Sequence, residues 1–254
     1  MATYKARALV LRKTKLGETD TIVTLLAEDG RQLRAVAKGL RKPGGRFGAR
    51  LEPYAVVDLM LHEGRTLDIV TEASTIASHA ALREDYDRAA AAAVIADLLD
   101  KISVEGQPEE QLFALSIATL DVLDVAPTGA LPALVVAFLL KALAMHGYRP
   151  EIDVCALCGA PAEGSAVISP RAGGVLCARC AVAQPGSLRF SPEGRAWLSR
   201  LMAARMAEVS TLDMPPAAVG DCFRVVRTFV AYHVPSRLRA LDYYADHLAE
   251  QGLA

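Results

Sequence analysis

Four of the five cysteines fall in two C-x-x-C pairs, Cys155-Ala-Leu-Cys158 and Cys177-Ala-Arg-Cys180, with 18 residues between them. One such pair directs two sulfurs at a single point, and two pairs supply the four corners of a tetrahedron. Gly159, directly after the first pair, suits the tight turn that this geometry uses. The spacer lies in the zinc-ribbon range, and Ser169-Pro-Arg-Ala-Gly-Gly within it reads as a hairpin. The expectation is one structural zinc per chain, held by Cys155, Cys158, Cys177 and Cys180. The other uses of cysteine fit less well. A redox dithiol needs only one pair, and a catalytic zinc keeps a position open that four thiolates would fill. A zinc deaminase needs an H-x-E element, which this chain lacks. A secreted disulfide framework spreads its cysteines more widely. The fifth, Cys222, shares a helical face with Val226, Phe229, Val230 and His233 and reads as core.

The first eighty residues read as β-structure. Residues 4–13, 19–27, 31–38, 51–61 and 65–71 are short runs rich in Val, Ile, Leu and Thr, bounded by turn residues. Five strands in so short a span suit a small closed barrel of the oligonucleotide-binding (OB) kind. In the third run Leu33, Ala35 and Ala37 alternate with Arg34, Val36 and Lys38, so Arg34 and Lys38 point outward together.

Charge bears on what such a barrel binds. The formal net charge is −1, which on its face disfavours nucleic acid. The sum conceals a gradient: residues 5–50 hold 12 basic and 4 acidic side chains, whereas residues 81–150 hold 5 and 10. The loop after Lys38 carries Arg41, Lys42, Arg46 and Arg50, with no acid, several glycines and Phe47. Glycines let backbone amides approach phosphate, cations attract it, and an aromatic ring stacks on a base. Lys5, Arg7, Arg12, Lys13 and Lys15 add to the positive field. A nucleic-acid-binding face is therefore expected from these twelve residues.

Beyond residue 80 the apolar period becomes helical. Val94, Ile95, Leu98, Leu99 and Ile102 share one face. Further helices are expected at about 107–123, 131–146, 191–208, 219–233 and 236–249. The third of these, counting from residue 80, is apolar nearly all round and reads as the centre of a bundle. Its apolar stretch, 130–145, is too short to span a bilayer, and no signal peptide is evident at the start, so a cytoplasmic protein is expected. The fold class is then multidomain α+β: a five-stranded OB-fold barrel at 1–80, a helical domain at 81–150 and 184–254, and an inserted four-cysteine zinc ribbon at 151–183. No phosphate loop or nucleophile elbow is present, and nothing in the pattern asks for catalysis.

These parts, in this order, resemble a known family. Gly-Glu-x-Asp-x-Ile-Val-Thr-Leu-Leu at 17–26, Val-Ala-Lys-Gly-Leu-Arg-Lys at 36–42 and the segment G-Y-x-P-x-x-x-x-C-x-x-C-G at 147–159 resemble the bacterial recombination mediators of the RecO family. Pro235-Ser-Arg-Leu-Arg looks like a variant of that family's late basic segment. The resemblance implies a non-catalytic DNA repair protein of the RecFOR pathway, cytoplasmic and nucleoid-associated. It implies binding of single- and double-stranded DNA, strand annealing, and joint action with RecR. Contact with the acidic tail of the single-stranded-DNA-binding protein and help in loading RecA are implied as well. Some family members lack the cysteines. Without the resemblance, two rivals stand: a zinc-ribbon interaction scaffold whose basic barrel docks an acidic protein, and a nucleic-acid-modifying enzyme.

Overall fold

The structure, a computed structural model, describes residues 2–42, 47–104, 107–162, 166–182, 184 and 186–253. It comprises two compact units: Met1–Ala92 with Ala96–Asp124, and Ala93–Ile95 with Val125–Ala254.

The first unit contains the barrel. Its strands are β1 (Thr3–Leu16), β2 (Asp20–Ala27), β3 (Gln32–Ala37), β4 (Val56–His62) and β5 (Asp68–Ala77). They close in the order β1-β2-β3-β5-β4. Closure rests on a short parallel pairing of β3 with β5, Ala35 opposite Asp68 and Val36 opposite Ile69. A bulge between Val10 and Arg12 lets the long β1 turn from one neighbour to the other. Alternation fills the interior: Ala8, Val10, Val23, Leu25, Ala35, Ala37, Val57, Leu59 and Leu61 are all buried in one cluster. The third strand behaves as its pattern requires, with Ala35 and Ala37 inside and Arg34 and Lys38 exposed.

Two strands depart from expectation. Leu51 belongs to a 3-10 turn over Gly48–Leu51, so β4 begins only at Val56. β5 runs on to Ala77, beyond the expected end at Thr71, because its outer positions are polar and carry no alternation signal.

Three helices join this unit: α1 (Ala81–Glu84), α2 (Tyr86–Ile102) and α3 (Glu110–Val125). Asp85 splits the first two and caps α2 by accepting from the Arg88 amide at 2.9 Å. Side chains fasten the helices to the barrel. Gln32 donates to the Asp100 carbonyl at 3.1 Å, and His79 meets the Asp121 carboxylate at 2.8 Å. Gly30 has φ +85°, and its missing side chain leaves room for the Glu109 backbone, which a Cβ would meet at 2.3 Å. The compact units therefore do not follow the composition change near residue 80.

The second unit is built on α4 (Leu131–Met145), every residue of which from Leu131 to Leu140 is buried. This is the one stretch among the described residues apolar enough to cross a membrane, and 72% of it lies inside the protein. Around it pack α6 (Pro192–Ala203), α7 (Met206–Val209) and α8 (Pro216–His233), followed by α9 (Arg239–Glu250). The single helix expected over 191–208 is in fact two. The chain is extended at Ala204 and Arg205, and Glu208 accepts from the Arg205 amide at 2.8 Å, starting α7 afresh. Cys222 is fully buried on α8. Between α4 and α6 sit β6 (Ala166–Ser169), β7 (Gly174–Leu176), α5 (Ala178–Ala181) and β8 (Leu188–Phe190). β6 and β7 form the expected hairpin, with Ser169 opposite Gly174, and β8 pairs on the other edge of β6.

Candidate metal centre and nucleic-acid face

The cysteine pairs come together as their spacing requires. The first sits on a turn closed by Cys155 N–H to Ala160 O and Gly159 N–H to Cys155 O, both at 2.8 Å. Gly159 takes φ +71°, a left-handed conformation that glycine adopts freely. The second pair starts α5, where the Ala181 amide donates to the Cys177 carbonyl at 3.0 Å. All four sulfurs lie within 4.8 Å of one another, and none is in a disulfide. Sulfurs bonded to one ion at about 2.3 Å in a tetrahedron stand about 3.8 Å apart. Cys158 Sγ and Cys177 Sγ are 3.8 Å apart. The four cysteines can therefore bind a metal ion, and as a complete tetrahedron they would leave it no open position.

The thiols are not equivalent. The Cys177 amide, with those of Leu157 and Cys158, brings Cys155 down to about 6. The Ala160 amide lowers Cys158. Cys180 is pushed up to about 12, first by the hydrogen bond its thiol shares with the Cys177 sulfur.

The twelve residues expected to contact nucleic acid do not form one surface. Acids far away in sequence neutralise several of them. Arg7 pairs with Asp58 at 3.0 Å across the β1–β4 ladder and reaches Glu28 at 4.0 Å. Arg12 meets Asp100 at 3.4 Å, and Lys13 meets Glu52 at 2.7 Å. Lys5 is exposed on the same stretch of β1 as Arg7.

A second group clusters at the far end of the β1–β2 hairpin and of β3. Leu16, Asp20 and Lys38 stand near one another where these strands end, and Arg34 lies on the outer face of β3 with Lys38. The start of the basic loop is fastened there. Asp20 accepts from the Gly39 amide at 2.8 Å, the Arg41 amide donates to Thr19 O at 3.0 Å, and the Arg41 guanidinium reaches Gly17 O at 3.3 Å. The Gly39 amide and the Thr19 hydroxyl hold Asp20 below the usual carboxylate range, with Lys38 and Lys42 adding to the effect. Lys15, Arg34, Lys38, Arg41 and Lys42 are all exposed, and among the described residues none of them forms an ion pair. Arg50 is exposed at the end of the 3-10 turn. Arg46 lies outside the described residues.

Phe47 requires a correction. It is 4% exposed and packs inside the barrel with Leu51 and Ala55, so its ring is not available to stack on a base. A phenylalanine next to a basic loop looks like a stacking group in sequence. Here it is the plug that holds the loop's return to the core.

Known proteins place this architecture. The family model described as the N-terminal part of recombination protein O matches residues 1–79, and that for its C-terminal part matches 83–242. The chain belongs to the RecO family. Among curated RecO relatives, one named DNA repair protein RecO from Nocardioides is 40% identical, covering 94% of this chain and 98% of the relative. Those of Rubrobacter xylanophilus and Frankia casuarinae are each 39% identical, over 92% and 96% of this chain and 94% and 98% of the relatives. RecO proteins serve recombination repair, and none of these matches indicates a catalytic family. The two RecO models meet where β5 gives way to α1.

Proposed function

We propose that the chain is a non-catalytic recombination mediator that holds DNA on the outer end of its barrel. The observation that carries this reading is the group Lys15, Arg34, Lys38, Arg41 and Lys42, exposed without ion pairs among the described residues of a RecO-family barrel. Each cation placed on a phosphate releases counterions, so binding is strong in dilute salt and falls steeply as salt rises. Phosphate contacts carry no sequence information, which suits a protein that takes single- and double-stranded DNA alike. Screening two complementary strands at once lowers their repulsion and promotes annealing without ATP. In this reading the protein acts in the cytoplasm on the nucleoid with RecR. It engages the tail of the single-stranded-DNA-binding protein and helps to load RecA on the coated strand.

Cys155, Cys158, Cys177 and Cys180 would hold one zinc. Four thiolates suit zinc in closed structural sites, and its contribution here is to fix the two turns and the β6–β7 hairpin. The test is strand annealing on DNA coated with its binding protein, with and without RecR. The wild-type chain should accelerate annealing. The combination Arg34→Glu, Lys38→Glu, Arg41→Glu and Lys42→Glu should abolish it with the metal content unchanged. Equal activity in that variant refutes the DNA face. Displacement of the chain from DNA only by acidic peptide, or covalent change in the DNA, would favour the scaffold or the modifying enzyme instead.

A further inference from the structure

The second unit carries a cluster of rings that the metal site and the barrel leave unexplained. Tyr148, three residues past α4, stacks on His233 at the end of α8, with centroids 4.4 Å apart and planes 22° from parallel. Tyr232 stands edge-on to the same imidazole at 5.0 Å. Phe229, buried one turn earlier, anchors it from beneath at 5.7 Å. Tyr148 is 42% and Tyr232 57% exposed, so the ring cluster opens to solvent. The imidazole between them is held by a hydrogen bond to the backbone of Pro170; burial pushes it below the usual histidine range, and the Pro170 contact partly offsets this. Cations flank the rings along the chain: Arg149 follows Tyr148, Arg171 follows Pro170, and Arg237 follows Tyr232 and His233, all exposed. Arg237 is drawn to Asp242 at 2.6 Å, while Arg149 and Arg171 are in no ion pair among the described residues.

Exposed flat rings packed on one another, with arginines close by in the chain, are the components of a single-strand platform. Bases stack on the rings and phosphates meet the cations, and a base in a duplex has no free face to offer. We propose that Tyr148, Tyr232 and His233 form a stacking site for unpaired bases, distinct from the barrel face and selective for single-stranded DNA. The inference rests on the DNA-binding reading above and adds to it. The barrel face, built of cations, binds either form of DNA, whereas the ring site distinguishes them. It also supplies annealing with a second point of attachment, one that lets go when its bases pair.

The test compares binding of a fluorescent oligothymidylate and a duplex of equal length to the full chain. Tyr148→Ala with Tyr232→Ala should weaken oligothymidylate binding roughly tenfold. The salt slope and duplex binding should be unchanged, and annealing should slow. Tyr148→Phe with Tyr232→Phe should bind as wild type, since the ring and not the hydroxyl stacks. A loss shared equally by single strand and duplex, or no loss at all, overturns the proposal. Should the alanine pair fail to fold, wild-type protein photocross-linked to 5-iodouracil DNA decides the matter. Adducts on peptides holding Tyr148 or Tyr232 support the site, and adducts confined to the barrel refute it. If the barrel reversal loses DNA while the tyrosine variants do not, this inference alone fails. If the wild-type chain binds neither DNA, the reading beneath it fails too.

Discussion

The barrel and the cysteine element are both small β structures, and they are held together by different means. The barrel encloses thirteen of the described residues in one buried cluster, among them Leu25, Leu51, Leu59, Leu61 and Phe47. Among its described residues the cysteine element, between α4 and α6, buries only small groups of apolar side chains: Ile152, Ala162, Ile168, Val175 and Leu176, with Pro150, Pro170 and Cys155. A β element of that size cannot supply a sufficient core by itself, and a bound metal is the usual substitute. One region has a ladder that closes on itself; the other brings together four sulfurs that can hold a metal ion. Each should therefore fail under a different insult.

Removing the ligands should have the largest effect. Structural zinc is worth about 10–16 kcal/mol in isolated finger peptides, far more than so small an apolar core can replace. Cys155→Ser with Cys158→Ser is expected to take the metal content from one zinc to none. Hydrogen exchange protection should be lost across 151–182 and kept in the barrel. Protection that survives in both regions would mean that the element has a sufficient core after all.

Phe47→Ala attacks the other side of the comparison. Emptying a buried phenylalanine site costs about 3–5 kcal/mol, so the barrel's unfolding midpoint should drop while zinc stays bound. DNA affinity per folded molecule should hold, whereas a stacking group would show the reverse. A smaller loss, about 1–3 kcal/mol, is expected for Gly30→Ala, which combines an unfavourable φ with a collision against the Glu109 backbone. Thermal unfolding reads it, and an unchanged midpoint would show that the start of α3 gives way freely.

The smallest effect is pH-dependent. Asp20 is held below its ordinary value by the Gly39 amide and the Thr19 hydroxyl. A carboxylate lowered in the folded state stabilises it above the unfolded value, and the benefit is lost as pH falls through the native value. Asp20→Asn should thus lower the midpoint slightly at neutral pH, and the difference from wild type should begin to fade below about 4 and vanish only once the pH is below the lowered native value. A difference independent of pH would point to packing and not to charge.

The two regions also differ in how far the sequence discloses them. For the cysteine element, two C-x-x-C pairs and a Gly-Gly hairpin are enough to foresee the gathering of the four sulfurs and the β6–β7 turn, because the constraint is local and chemical. β8 leaves no such mark, because a three-residue strand carries no period. For the barrel, alternation in β3 reveals which way Arg34 and Lys38 face. Alternation cannot reveal the partners that strand pairing delivers from afar. Asp58, Glu52 and Asp100 meet Arg7, Lys13 and Arg12 across 39 to 88 residues of sequence, and these contacts neutralise three of the twelve residues expected to form one basic surface. Phe47 misleads for the same reason: its neighbours in sequence are cations and glycines, while it lies in one buried cluster with strand residues such as Val23, Leu61 and Val70. The Tyr148–His233 stack likewise joins residues that no sequence window contains together.

The most direct test of the barrel face is the salt dependence of single-stranded DNA binding, measured for the wild-type chain and for Arg34→Glu with Lys38→Glu and Lys42→Glu. Log affinity should fall linearly with log salt for the wild type, with a slope of about 0.7 for each phosphate contacted. The triple variant should show a slope shallower by about two units, weaker binding in dilute salt, and an unchanged metal content. Parallel lines of equal affinity would contradict the account and move the DNA elsewhere on the molecule.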